Sequence, residues 1–240
     1  MKLAIFDIDG TLTDTNNVDE ECFIKAFSEV HSVAYIDTDW ALYPHTTDSG
    51  IAFHIFQTRF GRNPSEIELE TFKSCFVNML AAQYQYASSS FAEIAGAALA
   101  LSFLRRDSEW AVAIATGCWL ESALLKLNAA GVDTDGMPVA CAEDGLSREE
   151  ILQAAVLRAL KQYQANNFEK VVSIGDGVWD VRTARNLNFA FLGVGCGETA
   201  VRLRQAGATH VLENFSDYQQ LVRLLGEAQV PNQIEPAKRA

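Results

Sequence analysis

The spacing of apolar side chains alternates between two periods along most of this chain. Lys2-Leu-Ala-Ile-Phe6 is a short apolar run closed by the Asp9-Gly10 turn signal, which predicts a buried strand. Comparable runs lie at residues 110–115, 137–141, 170–174, 189–194 and 209–212, each separated from the next by an amphipathic stretch. The stretch 147–163 shows the helical period: Ile151, Ala155 and Ala159 recur every four residues beside Leu152, Val156 and Leu160. Ser147 with Glu150 three positions on forms a capping box at its start. Strands alternating with such helices predict right-handed βαβ units, hence an α/β fold with a doubly wound parallel sheet covered on both faces.

One block breaks the alternation. Residues 14–90 hold apolar helical stretches at 21–30 and 66–86, joined through Pro44 and the Gly61-Arg-Asn-Pro64 turn, with no convincing strand. Inserted between the first strand and the rest of the sheet, this block reads as a helical cap beside the sheet's carboxyl edge. The predicted organisation is a core of residues 1–14 and 91–228, a cap of 15–90, and a loose tail of 229–240 with two prolines and little apolar content.

Charge narrows the function classes. With 19 Lys and Arg against 31 Asp and Glu the formal charge is −12. Nucleic acid and anionic membranes are bound by neutralising phosphates, so neither is an expected partner. No stretch reaches the roughly 18 apolar residues of a membrane span, and the first apolar run is too short for a signal peptide, so a cytosolic protein is expected. Five cysteines, Cys22, Cys75, Cys118, Cys141 and Cys196, with no CxxC spacing, read as reduced thiols.

Ligands of open parallel sheets bind beyond the carboxyl ends of the strands, and three of those ends are polar here. Asp7-Ile-Asp9-Gly10-Thr11 puts carboxylates at i and i+2 on one side of an extended backbone before a glycine turn. Thr116-Gly117 offers a hydroxyl and a flexible amide for an anion. Gly175-Asp176-Gly177-Val-Trp-Asp180 adds two further carboxylates. If the strands are neighbours, Asp7, Asp9 and Asp176 converge and repel one another unless a cation sits among them, and Mg²⁺ suits oxygen ligands of this kind.

These motifs, in this order and at these strand ends, resemble the haloacid dehalogenase superfamily of phosphatases, particularly the phosphoglycolate-phosphatase-like group with a helical cap after the first motif. The resemblance covers most of the chain. It implies that Asp7 is the nucleophile that forms an aspartyl-phosphate and Asp9 the general acid for the leaving oxygen. Thr116 would hold a phosphoryl oxygen, with amides near Gly10 and Gly117. Asp7, the Asp9 carbonyl and Asp176 would bind Mg²⁺, completed or oriented by Asp180. The family's usual lysine after the third strand is missing. Arg148, at the start of the helix capped by Ser147, takes its place as the phosphate-gripping cation, with a geometry different from lysine's. Lys170 begins its strand at the wrong edge of the sheet, and Asp144, also after the third strand, either supports the site from behind or only turns the chain. In the cap, His45, Thr47 and Asp48 are candidates to meet a small phosphorylated metabolite. Cys118 could line the entrance, whereas Trp119 reads as packing.

Rival readings meet obstacles in the sequence. Gly193-Val-Gly195-Cys-Gly197 resembles half a dinucleotide fingerprint, but Glu198 at its sixth position would repel a pyrophosphate. Phosphonate cleavage would need a cap amine, for which only Lys25 or Lys73 offers itself. A phosphomutase shares the phosphatase motifs and differs in where the phosphoryl group goes. A non-catalytic binding protein is kept open by the Arg148 departure.

Overall fold

The computed structural model describes residues 1–233. Six parallel strands form one sheet: β1 (Lys2–Phe6), β2 (Trp110–Ala115), β3 (Val139–Ala140), β4 (Val171–Gly175), β5 (Ala190–Val194) and β6 (Val211–Leu212), in the order β3-β2-β1-β4-β5-β6. The helices are α1 (Asn16–His31), α2 (Asp48–Phe60), α3 (Glu66–Tyr86), α4 (Ala97–Leu104), α5 (Leu120–Ala129), α6 (Arg148–Gln162), α7 (Val178–Asn186), α8 (Gly197–Gln205) and α9 (Tyr218–Glu227). None of them is long and apolar enough to cross a membrane.

Alternation along the strands distributes the core to two faces. Ala4 and Phe6 pack with Val112, Ile114, Val172 and Ile174 against α4, α5 and α9. Leu3 and Ile5 point the other way, with Ala111 and Ala113, onto Ile151, Leu152, Ala155 and Ala159 of α6. Small alanines on this side of β2 let the α6 stripe approach closely. Successive strands leave β1 in opposite directions, β2 then β3 on one side and β4 to β6 on the other. The crevice therefore opens between β1 and β4, where the winding reverses.

The two edge strands are shorter than the apolar runs predict. Pro138 has no amide to give the ladder, and the Cys141 amide donates to Asp144 Oδ2 (3.0 Å) instead of to β2, so β3 keeps two residues of 137–141. At the other edge β6 keeps two residues of 209–212.

Between β1 and β2 the chain leaves and re-enters the sheet along paired backbone, with Asp14 N–H donating to Ala92 O (2.8 Å) and Ile94 N–H to Leu12 O (3.0 Å). The intervening helices α1, α2 and α3 bury their own aromatic core of Phe23, Phe27, Phe56, Phe72 and Phe76. At the far end, Phe191 N–H donates to Gln229 O (3.0 Å) and Asn232 N–H to Gly207 O (2.9 Å), so the first residues of the segment read as a tail are paired; residues 234–240 lie outside the described residues.

Candidate active site

At the end of β1 the Asp7 amide donates to Ile174 O (2.9 Å), extending the β1–β4 ladder and placing Asp7 at the winding reversal. The chain then folds tightly: the amides of Thr11, Leu12 and Thr13 all point at Ile8 O, at 3.1, 2.8 and 3.0 Å. Gly10 sits in this turn at φ +70°, and a Cβ there would lie 2.0 Å from Asp176 Oδ2, so both backbone and space demand glycine. The turn thus brings the β1 and β4 loops into contact.

Carboxylate oxygens of Asp7, Asp176 and Asp180 lie within 4.8 Å of one another. Asp176 Oδ2 accepts from Asn16 Nδ2 at 2.9 Å. Asp180, in the first turn of α7, accepts from Gly177 N–H (3.0 Å) and from Arg148 Nη1 (2.8 Å). Arg148 also donates through Nε to Thr46 O (2.9 Å), and its Nη1 stands 3.5 Å from Asp7 Oδ1. That Asp7 oxygen is buried and has no hydrogen-bond partner. Burial pushes the Asp7 carboxyl up to about 7 although the Arg148 guanidinium opposes it. Burial likewise raises Asp176 well above the usual carboxylate range and raises Asp180, against the pull of Arg148. One guanidinium is too little positive charge for three carboxylates, two of them buried. An all-oxygen donor set with an orphaned oxygen fits a hard divalent cation.

Asp9 is arranged differently from the expectation. Its side chain turns away from Asp7 and Asp176 into a second group with Asp19 and Cys118. Asp9 Oδ1 accepts from Thr15 Oγ1 (2.5 Å), and Oδ2 from Lys126 Nζ (2.6 Å) and Cys118 Sγ (2.9 Å). Lys126 is wholly buried and also donates to Asp19 Oδ1 at 2.5 Å. Burial works to raise the Asp9 carboxyl, but Lys126 and the neighbouring donors hold it below its ordinary value. Sequence reasoning missed Lys126, although a signal was there. It falls three residues after Ala123 and beside Leu127, on the buried face of α5, one turn after Ser122.

Thr116, buried at the end of β2, accepts from Cys118 N–H through Oγ1 (3.1 Å), which leaves its own proton free to donate. A Cβ at Gly117 would lie 2.7 Å from Thr46 O and 2.9 Å from Arg148 Nη2, so glycine is what lets the arginine and the cap approach this loop. The cavity above these groups measures about 670 Å³ and is lined by Asp9, Gly117, Cys118, Arg148 and Asp176 from the sheet side. Thr47 and Asp48 line its cap wall, yet their polar atoms are engaged in holding α2 in place. Thr47 Oγ1 caps α2 by accepting from Gly50 N–H (3.0 Å) and donates to Leu146 O (2.8 Å), while Asp48 Oδ2 accepts from Trp119 N–H (2.8 Å). The structure does not bring His45 to the cavity: it is exposed on the loop before α2.

Other expectations fall into place around the site. Lys170 Nζ donates to Leu225 O (3.0 Å) and Gly226 O (2.7 Å), at the opposite end of the strands. Asp144 takes a bidentate grip from Arg158 (2.7 and 2.5 Å) and stays outside the cavity. Lys25 pairs with Glu21 and Lys73 with Glu143, and neither lines the cavity, so neither supplies the amine that phosphonate chemistry would need.

Residues 1–188 match the family model described as haloacid dehalogenase-like hydrolase. No curated protein matches the chain. Among solved structures, a hydrolase from Pseudomonas syringae is similar with a TM-score of 0.69 at 20% identity, covering 95% of this chain and 99% of the other. A candidate β-phosphoglucomutase from Bacteroides vulgatus gives 0.67 at 16% identity, over 97% and 91%. A phosphoglycolate phosphatase assigned by prediction, from Haemophilus somnus 129pt, gives 0.63 at 16% identity, over 92% and 98%. At these identities the likeness is one of fold.

Proposed function

This chain belongs to the haloacid dehalogenase-like hydrolases, and from that premise we propose that it is a Mg²⁺-dependent phosphatase of a small phosphorylated metabolite, working through a phosphorylated Asp7. The observation that carries the reading is the buried Asp7 oxygen without a hydrogen-bond partner, beside Arg148 and within 4.8 Å of two more carboxylates. Asp7, Asp176 and Asp180 would hold the ion. When bound there, Mg²⁺ supplies positive charge between the nucleophile and the phosphoryl oxygens.

The chain's own groups do the rest. Asp7 attacks phosphorus, replacing one difficult displacement by two easier ones. Arg148 binds a phosphoryl oxygen while its other contacts, to Thr46 and Asp180, keep its plane fixed. The free proton of Thr116 serves a second phosphoryl oxygen. Lys126 holds Asp9 ionised at rest, so the proton given to the leaving oxygen in the first step passes through the Lys126–Asp9 pair, and Asp9 recovers it from the water that hydrolyses the phosphorylated Asp7.

The test is inorganic phosphate release from a broad panel of phosphate monoesters, with Mg²⁺ and with chelator, for wild type and Asp7→Asn. Metal-dependent release falling by about 10³-fold or more in the variant is the expected result, given the weight of a lost nucleophile. Wild-type rates in Asp7→Asn would remove the nucleophile assignment. A stable phosphorylated Asp7 that discharges only to an added sugar would replace hydrolysis by group transfer.

A further inference from the structure

The cavity has two ends of different chemistry. Its floor is lined by Arg148 and Asp176, beside Asp7, and suits a phosphoryl group. The facing wall comes from α1 and the 3₁₀ turn at Trp40–Leu42, and it presents Glu20, Asp39 and Trp40. Glu20 Oε2 accepts from Trp40 Nε1–H (2.8 Å), and Asp39 Oδ1 from the Ala41 amide (3.3 Å). Both donors are neutral, so neither partner cancels the carboxylate's charge. Asp19 beside them is a different case, because the Lys126 ammonium lies 2.5 Å behind it. Arg202 reaches the cavity from α8 on the sheet side; it and Asp39 are both exposed and screened by solvent, so the half-buried Glu20 carries most of the wall's charge. The indole of Trp40 is held in place, its centroid 6.0 Å from Phe23 and 5.5 Å from Tyr43.

From this wall, and resting on the phosphatase reading, we infer that Glu20, Asp39 and Trp40 select phosphate esters whose leaving alcohol carries no negative charge and offers hydrogen-bond donors, a hydroxyl-rich or aminated alcohol. Ionised carboxylates only accept hydrogen bonds, so hydroxyl and ammonium groups satisfy them and a second anion does not. An indole face adds contact with the C–H side of a polyol or with an ammonium. Esters ending in a carboxylate, phosphoglycolate among them, meet charge of their own sign at Glu20 and, more weakly, at the exposed Asp39.

The inference is tested by kcat/KM for glycerol phosphate and phosphoethanolamine against phosphoglycolate and phosphoglycerate, in wild type and in Glu20→Gln/Asp39→Asn. Both substituted positions are away from the core, and the amides keep shape while removing charge. Wild type is expected to prefer the first pair by at least about tenfold, and the double variant to lose most of that ratio. Equal or better use of phosphoglycolate overturns the selectivity while phosphate release still upholds the phosphatase reading. A ratio unmoved in the double variant overturns the assignment to Glu20 and Asp39. If no ester is hydrolysed the phosphatase reading fails, and calorimetric affinities of Asp7→Asn for the same four esters decide the selectivity: the same order upholds it, and equal affinities end it.

Discussion

Lys126 shows how much one side chain can carry when it is buried. Its ammonium is removed from water and is offset by Asp9 at 2.6 Å and Asp19 at 2.5 Å. A buried pair of this kind adds little over an apolar replacement of all its members, but removing one member strands the others. Lys126→Met is therefore expected to cost about 3–5 kcal/mol in urea unfolding. Adding Asp19→Asn to it should recover part of the loss, because one stranded charge is gone. A single variant within about 1 kcal/mol of wild type would mean that the ammonium is not holding these carboxylates. His31 gives the opposite case, a titratable ring among aromatic ones, 4.8 Å from Phe56 and 4.9 Å from Phe27. Burial lowers its pKa, with Glu68 opposing and Arg62 reinforcing. The unfolded chain then takes up the proton before the folded one does. Stability attributable to this ring falls as pH drops through the ordinary imidazole value, and the loss is complete below the folded value. His31→Phe should flatten the stability curve between about pH 7 and 5, and curves that stay parallel to wild type would rule this out.

Elements differ in how much of them the sequence announces. The capping box at Ser147 and Glu150 is present as read, with Glu150 N–H donating to Ser147 Oγ (3.2 Å) and Ser147 N–H to Glu150 Oε2 (3.0 Å). Because that box starts α6, it also fixes where Arg148 emerges, and the expected site at the ends of β1, β2 and β4 rests on it. Strand lengths at the sheet edges were less legible, since a run such as 137–141 is apolar whether or not its amides join a ladder, and only Pro138 signals that they do not. The direction of the Asp9 side chain was not legible at all. Two residues of strand periodicity place Asp7 and Asp9 on one side, but the tight turn around Ile8 O ends that periodicity before Asp9 is reached. Thr47 and Asp48 could be placed in the cap loop but not given their partners, because those partners, Leu146 O and Trp119 N–H, are about 70 to 100 residues away along the chain.

At the scale of the molecule, cap and sheet share one buried residue more than any other. Trp119 follows the β2 loop, yet its ring lies in the cap's aromatic core, with centroids 5.4 Å from Phe72, 6.1 Å from Phe76 and 6.4 Å from Phe23. Its amide donates to Asp48 and its indole N–H to Ser49 Oγ (2.8 Å), so the first two residues of α2 are tied to the sheet by this one side chain and its backbone. Arg148 to Thr46 O and Lys73 to Glu143 add two further ties across the same seam. A helical cap whose core is completed by a residue of the sheet's own loop cannot lose that loop and keep its packing. Urea unfolding of the wild type should accordingly show one transition, with circular dichroism and tryptophan fluorescence coincident. Trp119→Ala should cost about 3–5 kcal/mol, the range for truncating a large buried aromatic, and should separate the two probes as the cap loosens before the sheet. Two wild-type transitions, or a variant nearly as stable as wild type, would show that the cap stands on its own aromatic core and that the site beneath it is closed by something other than this seam.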